Sequence, residues 1–324
     1  MSRTYKATGI NLKGSPLGES DRLLTILTQE QGLVRVVAPG ARKHNSRLAG
    51  RSGLFVINQL LLAKGKSLDR ISQAETVRSF PGLSSNLTKL TASQYLAELT
   101  LYQALSEQPQ ESLFCLLTEH LERLEQATAA AVLPCLAQAT FHLLALAGIA
   151  PQVHLCCITQ EPIVPDLLDP DWQVGFSLSA GGTVRMTELD GLGDRVESSQ
   201  QKSTPQTQKQ PVEEKIVRSS VAAMSTSRRV PSGRGSSSRQ RKVDQVFRLN
   251  ALELALFQQL SQPQLLVVQP MAVALPAAVT TSPHHLWYRI ERFLRHYAQY
   301  HLDRSIRSAS LIDACFSSPS PSFN

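Results

Sequence analysis

The sequence contains few aromatic residues and few cysteines, and its longest apolar stretches are interrupted. Its 324 residues include 10 Phe, 6 Tyr, 2 Trp and 5 Cys. An odd cysteine count without a framework spacing fits a reducing compartment better than secretion. The stretch Leu265–Val279 contains Gln269, Pro270 and Pro276, so we expect no membrane span. The first residues lack the apolar segment of a secretory signal, and we expect a cytoplasmic protein.

Local motifs of common enzyme classes are also absent. The sequence has no phosphate-binding glycine run followed by lysine, no HExxH and no GxSxG. We therefore predict a protein that is not an enzyme, that has no small-molecule substrate, and that needs neither a cofactor nor a metal. Such a protein would act by binding.

Charge is distributed unevenly along the chain. Residues 1–79 carry 13 Lys and Arg against 5 Asp and Glu, whereas residues 80–194 carry 3 against 13. Residues 195–243 are again basic, with 11 against 3. This pattern indicates that only part of the protein faces a polyanion.

The stretch Gly18–Arg51 predicts a β-hairpin followed by a basic loop. Its apolar runs, Leu23–Leu27 and Leu33–Ala38, are separated by a polar segment that ends in glycine. The loop after Pro39 contains no acid, and it is interpreted either as a contact for phosphate backbones or as a solvated turn. The candidate DNA-binding residues are Arg22, Arg35, Arg42, Lys43, Arg47 and Arg51, with Lys64, Lys66 and Arg78 as second choices.

Residues 1–80 predict an all-β domain. The expected strands are residues 4–12, 23–28, 33–38, 54–63 and 71–77. Five short strands favour a small barrel over a sandwich, which usually needs about seven, so we predict a five-stranded OB-fold barrel. Its aromatic residues are Tyr5, Phe55 and Phe80 alone, and we therefore expect backbone-dominated, salt-sensitive binding of single strands.

From Ser84 onward, apolar spacings of three and four predict an all-helical domain, so that the whole chain is α+β. Its two parts are residues 81–150, with helices at 85–106, 111–126 and 129–147, and residues 244–318, with helices at 247–260 and 285–301. A stripe of arginines in the second part is interpreted either as a solvated helix face or as a contact for an acidic partner. Its members are Arg289, Arg292, Arg295, Arg304 and Arg307.

Two further segments separate the helical parts. Residues 151–194 are predicted to be irregular. Residues 195–243 are rich in Ser, Gln, Thr and Arg, and this composition predicts a disordered basic insert. The insert either contacts DNA non-specifically or binds nothing.

The stretch GESDRLLTILTQEQGLVRVVAPGARKHNSRLAG, which begins at Gly18, resembles the N-terminal domain of the RecO family of bacterial DNA repair proteins. The similarity continues through Leu54–Leu62 and Arg70–Phe80, and a weaker one covers His296–Asp313. The resemblance implies an OB fold and a nucleoid-associated recombination mediator. Such a protein binds single- and double-stranded DNA, anneals strands coated by single-stranded-DNA-binding protein (SSB), and works with RecR to load RecA. The arginine stripe would then be a candidate contact for the acidic tail of SSB.

The alternative is a non-catalytic interaction protein whose helical domain is the working part. The barrel would then be a docking module, and the basic loop would be merely solvated.

Many RecO relatives form a zinc site from two CxxC pairs, and the resemblance indicates which residues of this chain occupy the same positions. Here Cys156 occupies the first position, while Thr159, Arg185 and Glu188 occupy the other three. One ligand of four cannot close a tetrahedral site, so residues 151–194 are predicted to be a degenerate zinc-finger-like region without a metal.

Overall fold

A computed structural model describes residues 4–189, 246–263 and 282–316. The insert predicted at 195–243 lies outside these residues. The first domain consists of five strands and one short helix, which lies between the third and fourth strands. They are β1 (Thr4–Leu17), β2 (Asp21–Thr28), β3 (Gly32–Ala38), α1 (Leu48–Arg51), β4 (Val56–Ala63) and β5 (Asp69–Ser79).

The five strands pair in the order β1-β2-β3-β5-β4, and β4 pairs back onto β1. All pairs are antiparallel except β3 with β5, which meet in parallel only at Val36–Asp69 and Val37–Arg70. This short contact closes the sheet into an OB-type barrel and confirms the predicted fold. Strand β1 runs five residues further than predicted, and its pairing with β2 contains a bulge between Asn11 and Lys13.

Strand β1 belongs to two hydrophobic cores. Ala7 packs in the barrel interior with residues such as Leu24 and Leu62. Ile10 and Leu12 instead belong to the core of the second domain. The barrel is therefore packed directly against its neighbour.

The second domain is helical, as predicted. Its helices are α2 (Leu87–Gln103), α3 (Glu111–Gln126), α4 (Val132–Leu146), α5 (Ala251–Gln259), α6 (Pro283–Leu302) and α7 (Ala309–Phe316). Helix α4 lies at the centre and contacts α2, α3 and α6. Within the described residues, Ala129–Leu146 is the one helical stretch long and apolar enough to span a membrane. Here it forms the core of the domain, which accounts for its composition.

The helical domain also contains a small sheet that the sequence analysis missed. Strands β6 (Gln173–Ser177), β7 (Gly182–Val184) and β8 (Val246–Asn250) pair in the order β7-β6-β8. Residues 173–184 are therefore partly regular, and the predicted helix at 247–260 begins too early. The helix starts only after Asn250, which forms a capping box with Glu253.

The arginine stripe on α6 is not one exposed surface. Arg295 is only 5% exposed. Its Nε lies 3.1 Å from Glu291 Oε1, and its Nη2 lies 2.6 Å from Asp313 Oδ1. Arg289 is half-buried and pairs with the buried Glu253 at 2.8 Å. The prediction that Arg295 contacts a partner is therefore wrong, because this side chain ties α6 to α7.

Replacing Arg295 tests this assignment. Arg295→Met should lower the free energy of unfolding by about 3–5 kcal/mol, because it leaves the Glu291 carboxylate buried without its counter-charge. Arg292→Met, at an exposed position of the same helix, should change it by less than about 0.5 kcal/mol. Urea denaturation followed by circular dichroism measures both. Equal stabilities would contradict a structural role for Arg295.

Candidate nucleic-acid interface

The outer face of β1, β2 and β3 presents positive charge. The bulge in β1 places Lys13 opposite Thr25, and Thr25 pairs with Arg35 on β3. Directly paired residues point to the same side of a sheet, so these three side chains form one row. In the adjacent row, Val37 pairs with Arg70 of β5. We call the surface of Lys13, Thr25, Arg35 and Arg70 the sheet face; its three cations are exposed.

The basic loop, residues 40–47, has a fixed base. The Gly40 N–H donates to Asp21 Oδ1 at 2.8 Å, and the Arg42 N–H donates to the Ser20 carbonyl at 2.9 Å. Ala41 is buried between them, with 2% exposure. Beyond this base, Lys43 and its neighbours up to Asn45 are exposed, as is Arg47. The base of the loop is therefore fixed by hydrogen bonds, while its cationic side chains are exposed to solvent.

The Asp21 carboxylate interacts both with the basic loop and with a cation of the sheet face. Hydrogen bonds from the Gly40 N–H and the Ser20 hydroxyl hold the pKa of Asp21 below its usual range. The positive charges of Arg70 and Lys43 lower this pKa further. A sheet-face cation and a loop cation therefore both interact with the Asp21 carboxylate.

Two arginines at the rim of the barrel are oriented by carbonyl groups. Arg22 Nη1 donates to the carbonyl and the hydroxyl oxygens of Ser52, both at 3.1 Å. Arg42 Nη1 donates to the Gly18 carbonyl at 2.8 Å. Within the described part of the chain, neither guanidinium has a carboxylate partner. We call Arg22 and Arg42 the rim arginines; they are positioned but not neutralised, which suits them to bind phosphate.

The rim arginines line one small cleft. It measures about 230 Å³, and its other walls include Pro16 and Leu54. One wall therefore carries positive charge, and another is apolar.

The segment that carries Ser52 and Leu54 is held by buried amides. Asn11 Nδ2 donates to the carbonyls of Arg51 and Gly53, both at 2.8 Å. Asn58 Nδ2 donates to the Arg51 carbonyl at 2.9 Å. Both asparagines are buried, with at most 1% exposure. These bonds fix where α1 ends and where the next residues lie.

The remaining predicted cations lie elsewhere on the barrel. Arg47 and Arg51 line an open groove of about 870 Å³ beside β1, β4 and β5, together with Lys6. Lys64 lies 6.0 Å from the centroid of the Tyr5 ring, and Lys66 is exposed in the same β4–β5 connection. The structure thus spreads the predicted set over several surfaces of the barrel.

Arg78 belongs to none of these surfaces. Its Nη2 lies 2.6 Å from Glu122 Oε1 on α3, and its guanidinium lies 4.9 Å from the Phe80 ring centroid. This half-exposed ion pair bridges the barrel and the helical domain. The prediction that Arg78 binds DNA therefore loses its main support, because a carboxylate already neutralises the charge.

Sequence reasoning missed two cations of the sheet face, Lys13 and Arg70. The apolar pattern of β1 ends at Leu12, and the following bulge that turns Lys13 outward has no sequence signal. Arg70 reaches this face through a parallel pairing with Val37, which hairpin rules do not predict. Among the residues that the structure describes, no aromatic residue lines the cleft of the rim arginines. Phe55 and Phe80 are buried, and the Tyr5 hydroxyl donates to Asp69 Oδ2 at 2.5 Å.

The residues at the four zinc positions do not fit a metal. Burial opposes ionisation of Cys156, but hydrogen bonds from Thr159, Ile158 and the Arg185 N–H outweigh it and lower the pKa of the thiol. Two of the four positions therefore serve as hydrogen-bond donors to the one cysteine. Across residues 4–189, 246–263 and 282–316, no group of three or more His, Cys, Asp or Glu is arranged to hold a metal ion.

An OB-type barrel packed against a helical domain defines a two-domain protein of the OB-fold class. Residues 1–80 match the family model described as "Recombination protein O N terminal", and residues 84–191 match "Recombination protein O C terminal". The chain therefore belongs to the RecO family of DNA repair proteins.

Full-length relatives support the same assignment. The DNA repair protein RecO of Cyanothece sp. (strain PCC 7425) is 51% identical over an alignment 335 positions long, which covers 100% of both chains. That of Nostoc sp. (strain PCC 7120) is 48% identical over 320 residues, covering 98% of this chain and 97% of the relative. That of Acaryochloris marina is 50% identical over 316 residues, covering 98% and 96%.

Removing the anchor of the basic loop should loosen it. In Asp21→Ala we expect faster amide exchange across residues 39–47, measured by hydrogen-exchange mass spectrometry, because Gly40 loses its acceptor. Glu19→Ala removes an exposed acid nearby and should leave the exchange unchanged. In the wild type the anchor should persist at pH values above the ordinary pKa of 3.8 and be lost only as the pH falls through the lower folded value. Equal exchange in both variants would refute the anchor.

Proposed function

We propose that this RecO-family protein is a DNA-binding recombination mediator that contacts phosphate backbones through the sheet face and the rim arginines. The observation that carries the proposal is the pair Arg22 and Arg42, which are held by carbonyls and, among the described residues, form no ion pair with a carboxylate. A guanidinium fixed in this way retains its charge and loses little side-chain entropy when it binds a phosphate.

The binding mode follows from what surrounds these cations. Lys13, Arg35 and Arg70 continue the positive surface across three strands. Since the aromatic side chains of the barrel are buried or hydrogen-bonded, contacts go mainly to the backbone of DNA. Binding should therefore tolerate any sequence, include both single- and double-stranded DNA, and weaken steeply with salt.

Annealing of complementary strands fits this arrangement. The groove lined by Lys6, Arg47 and Arg51 also contains Glu30 and Glu75, so it offers a second region on the same barrel with a small excess of positive charge. Two neutralised backbones can approach each other, and base pairing then supplies the driving force. The reaction makes no covalent bond, so the proposal includes neither an enzyme activity nor a cofactor.

Family membership supports the wider role, which is annealing of SSB-coated strands and loading of RecA together with RecR in the cytoplasm. The acidic tail of SSB would meet the arginines of the helical domain that remain exposed. Arg292 and Arg307 are exposed, and the exposed Arg304 lies 5.6 Å from the Tyr102 ring centroid. Arg295 is excluded from this contact by its burial.

The proposal predicts the salt dependence of DNA binding. Fluorescence anisotropy with a labelled single strand should give a straight line of log K against log salt. Lys13→Ala/Arg35→Ala, which removes two exposed cations of the sheet face, should weaken binding uniformly across sequences and reduce the slope by about 1.4, since each phosphate contact contributes about 0.7 for single strands.

The matched control removes two exposed arginines from the helical domain, in Arg292→Ala/Arg304→Ala. Its charge change is the same, but its slope should equal that of the wild type. If both double variants lose slope equally, only net charge matters and the sheet face is not the interface. No binding by the wild type at low salt would favour the alternative, an interaction protein whose helical domain is the working part.

A further inference from the structure

We infer that Leu54 contacts an unstacked base of single-stranded DNA whose phosphates are held by the rim arginines. The inference rests on the proposed DNA binding and adds a site for the base beside the site for the backbone. It assigns to this cleft a preference for single strands.

The backbone next to Leu54 is strained, and the Leu54 side chain is exposed. Phe55 has a φ of 58°, a left-handed conformation that bulky residues rarely adopt and that costs of order 1–3 kcal/mol. A hydrogen bond and the burial of the side chain offset this strain. The Phe55 N–H donates to the Asn11 carbonyl at 2.9 Å, and Phe55 is only 3% exposed. The preceding Leu54 is left 40% exposed.

The exposed leucine faces positive charge. Leu54 and Pro16 line the same cleft of about 230 Å³ as Arg22 and Arg42. Leu17 follows Pro16 and is also exposed, at 37%. An apolar wall beside two guanidinium groups without carboxylate partners matches a nucleotide, which combines an anionic phosphate with a planar base whose faces can pack against apolar side chains.

Single-stranded and double-stranded DNA differ in which surfaces of their bases are accessible to a protein. In a duplex, the faces of the bases are stacked and only their edges are accessible in the grooves. In a single strand, a base can turn out and lay its face on an apolar side chain, as OB folds ordinarily arrange with aromatic rings. Because no aromatic ring of the described residues lines this cleft, Leu54 is the side chain positioned to take this role.

Comparison of two DNA forms tests the inference in the full-length protein. We expect Leu54→Ala to weaken binding of a labelled oligothymidylate about fivefold, while binding of a duplex of equal length at the same salt stays unchanged. Leu311→Ala, which shortens an exposed leucine on α7 instead, should affect neither form. Thermal denaturation of each variant confirms that the fold is intact.

A gain of function provides a second measurement that does not depend on truncation. Leu54→Trp should bind the single strand more tightly than the wild type, and its additional fluorescence should be quenched when oligothymidylate is added. Suppose that the wild type binds DNA, that Leu54→Ala binds both forms equally well, and that the new tryptophan is not quenched. The cleft then does not contact a base, and only this inference fails. If the wild type binds neither form at low salt, the proposed function fails with it.

Discussion

The buried side-chain amide of Asn11 is the interaction on which the candidate interface depends. From inside the barrel it donates to the carbonyls of Arg51 and Gly53, while its own backbone carbonyl accepts the N–H of Phe55. One residue of β1 therefore fixes the whole segment 51–55. Ser52 in this segment orients Arg22, and Leu54 forms the apolar wall of the cleft. The geometry of a solvent-exposed site is thus set by hydrogen bonds made in a dry interior, where an unmade bond is costly.

The arginines of this protein fall into two groups that differ in their partners. Arg78 and Arg295 face carboxylates, and each joins two parts of the fold. Arg22 and Arg42 face carbonyl oxygens, which orient a guanidinium without cancelling its charge. The residue type is the same in both groups, so the acceptor separates a structural arginine from one available to a phosphate. This distinction explains why a count of basic residues overestimates a binding surface.

The parts of the fold that could be predicted from the sequence are those set by local patterns. The hairpin of β2 and β3 and the helix Glu111–Gln126 follow from period-two and period-3.6 spacing over uninterrupted runs. Strand β8 could not be predicted, because its five residues precede a helix of similar apolarity and its partner β6 lies about 70 positions earlier in the chain. The basic loop could be predicted because its residues are consecutive in the sequence. Arg70 could not, because a non-local parallel pairing brings it to the sheet face.

Because β6 pairs with both β7 and β8, the two ends of the chain that connects β7 to β8 are held close together. The strands that flank residues 185–245 lie on either side of β6, about 10 Å apart by the ordinary spacing of neighbouring strands. Closing a chain between two such fixed points costs only about 0.6 kcal/mol more for each doubling of its length. Both ends of this connection are therefore held in one small sheet, while Leu189, just after β7, still packs against the core. A change in the number of residues between Leu189 and β8 should then cost the fold little.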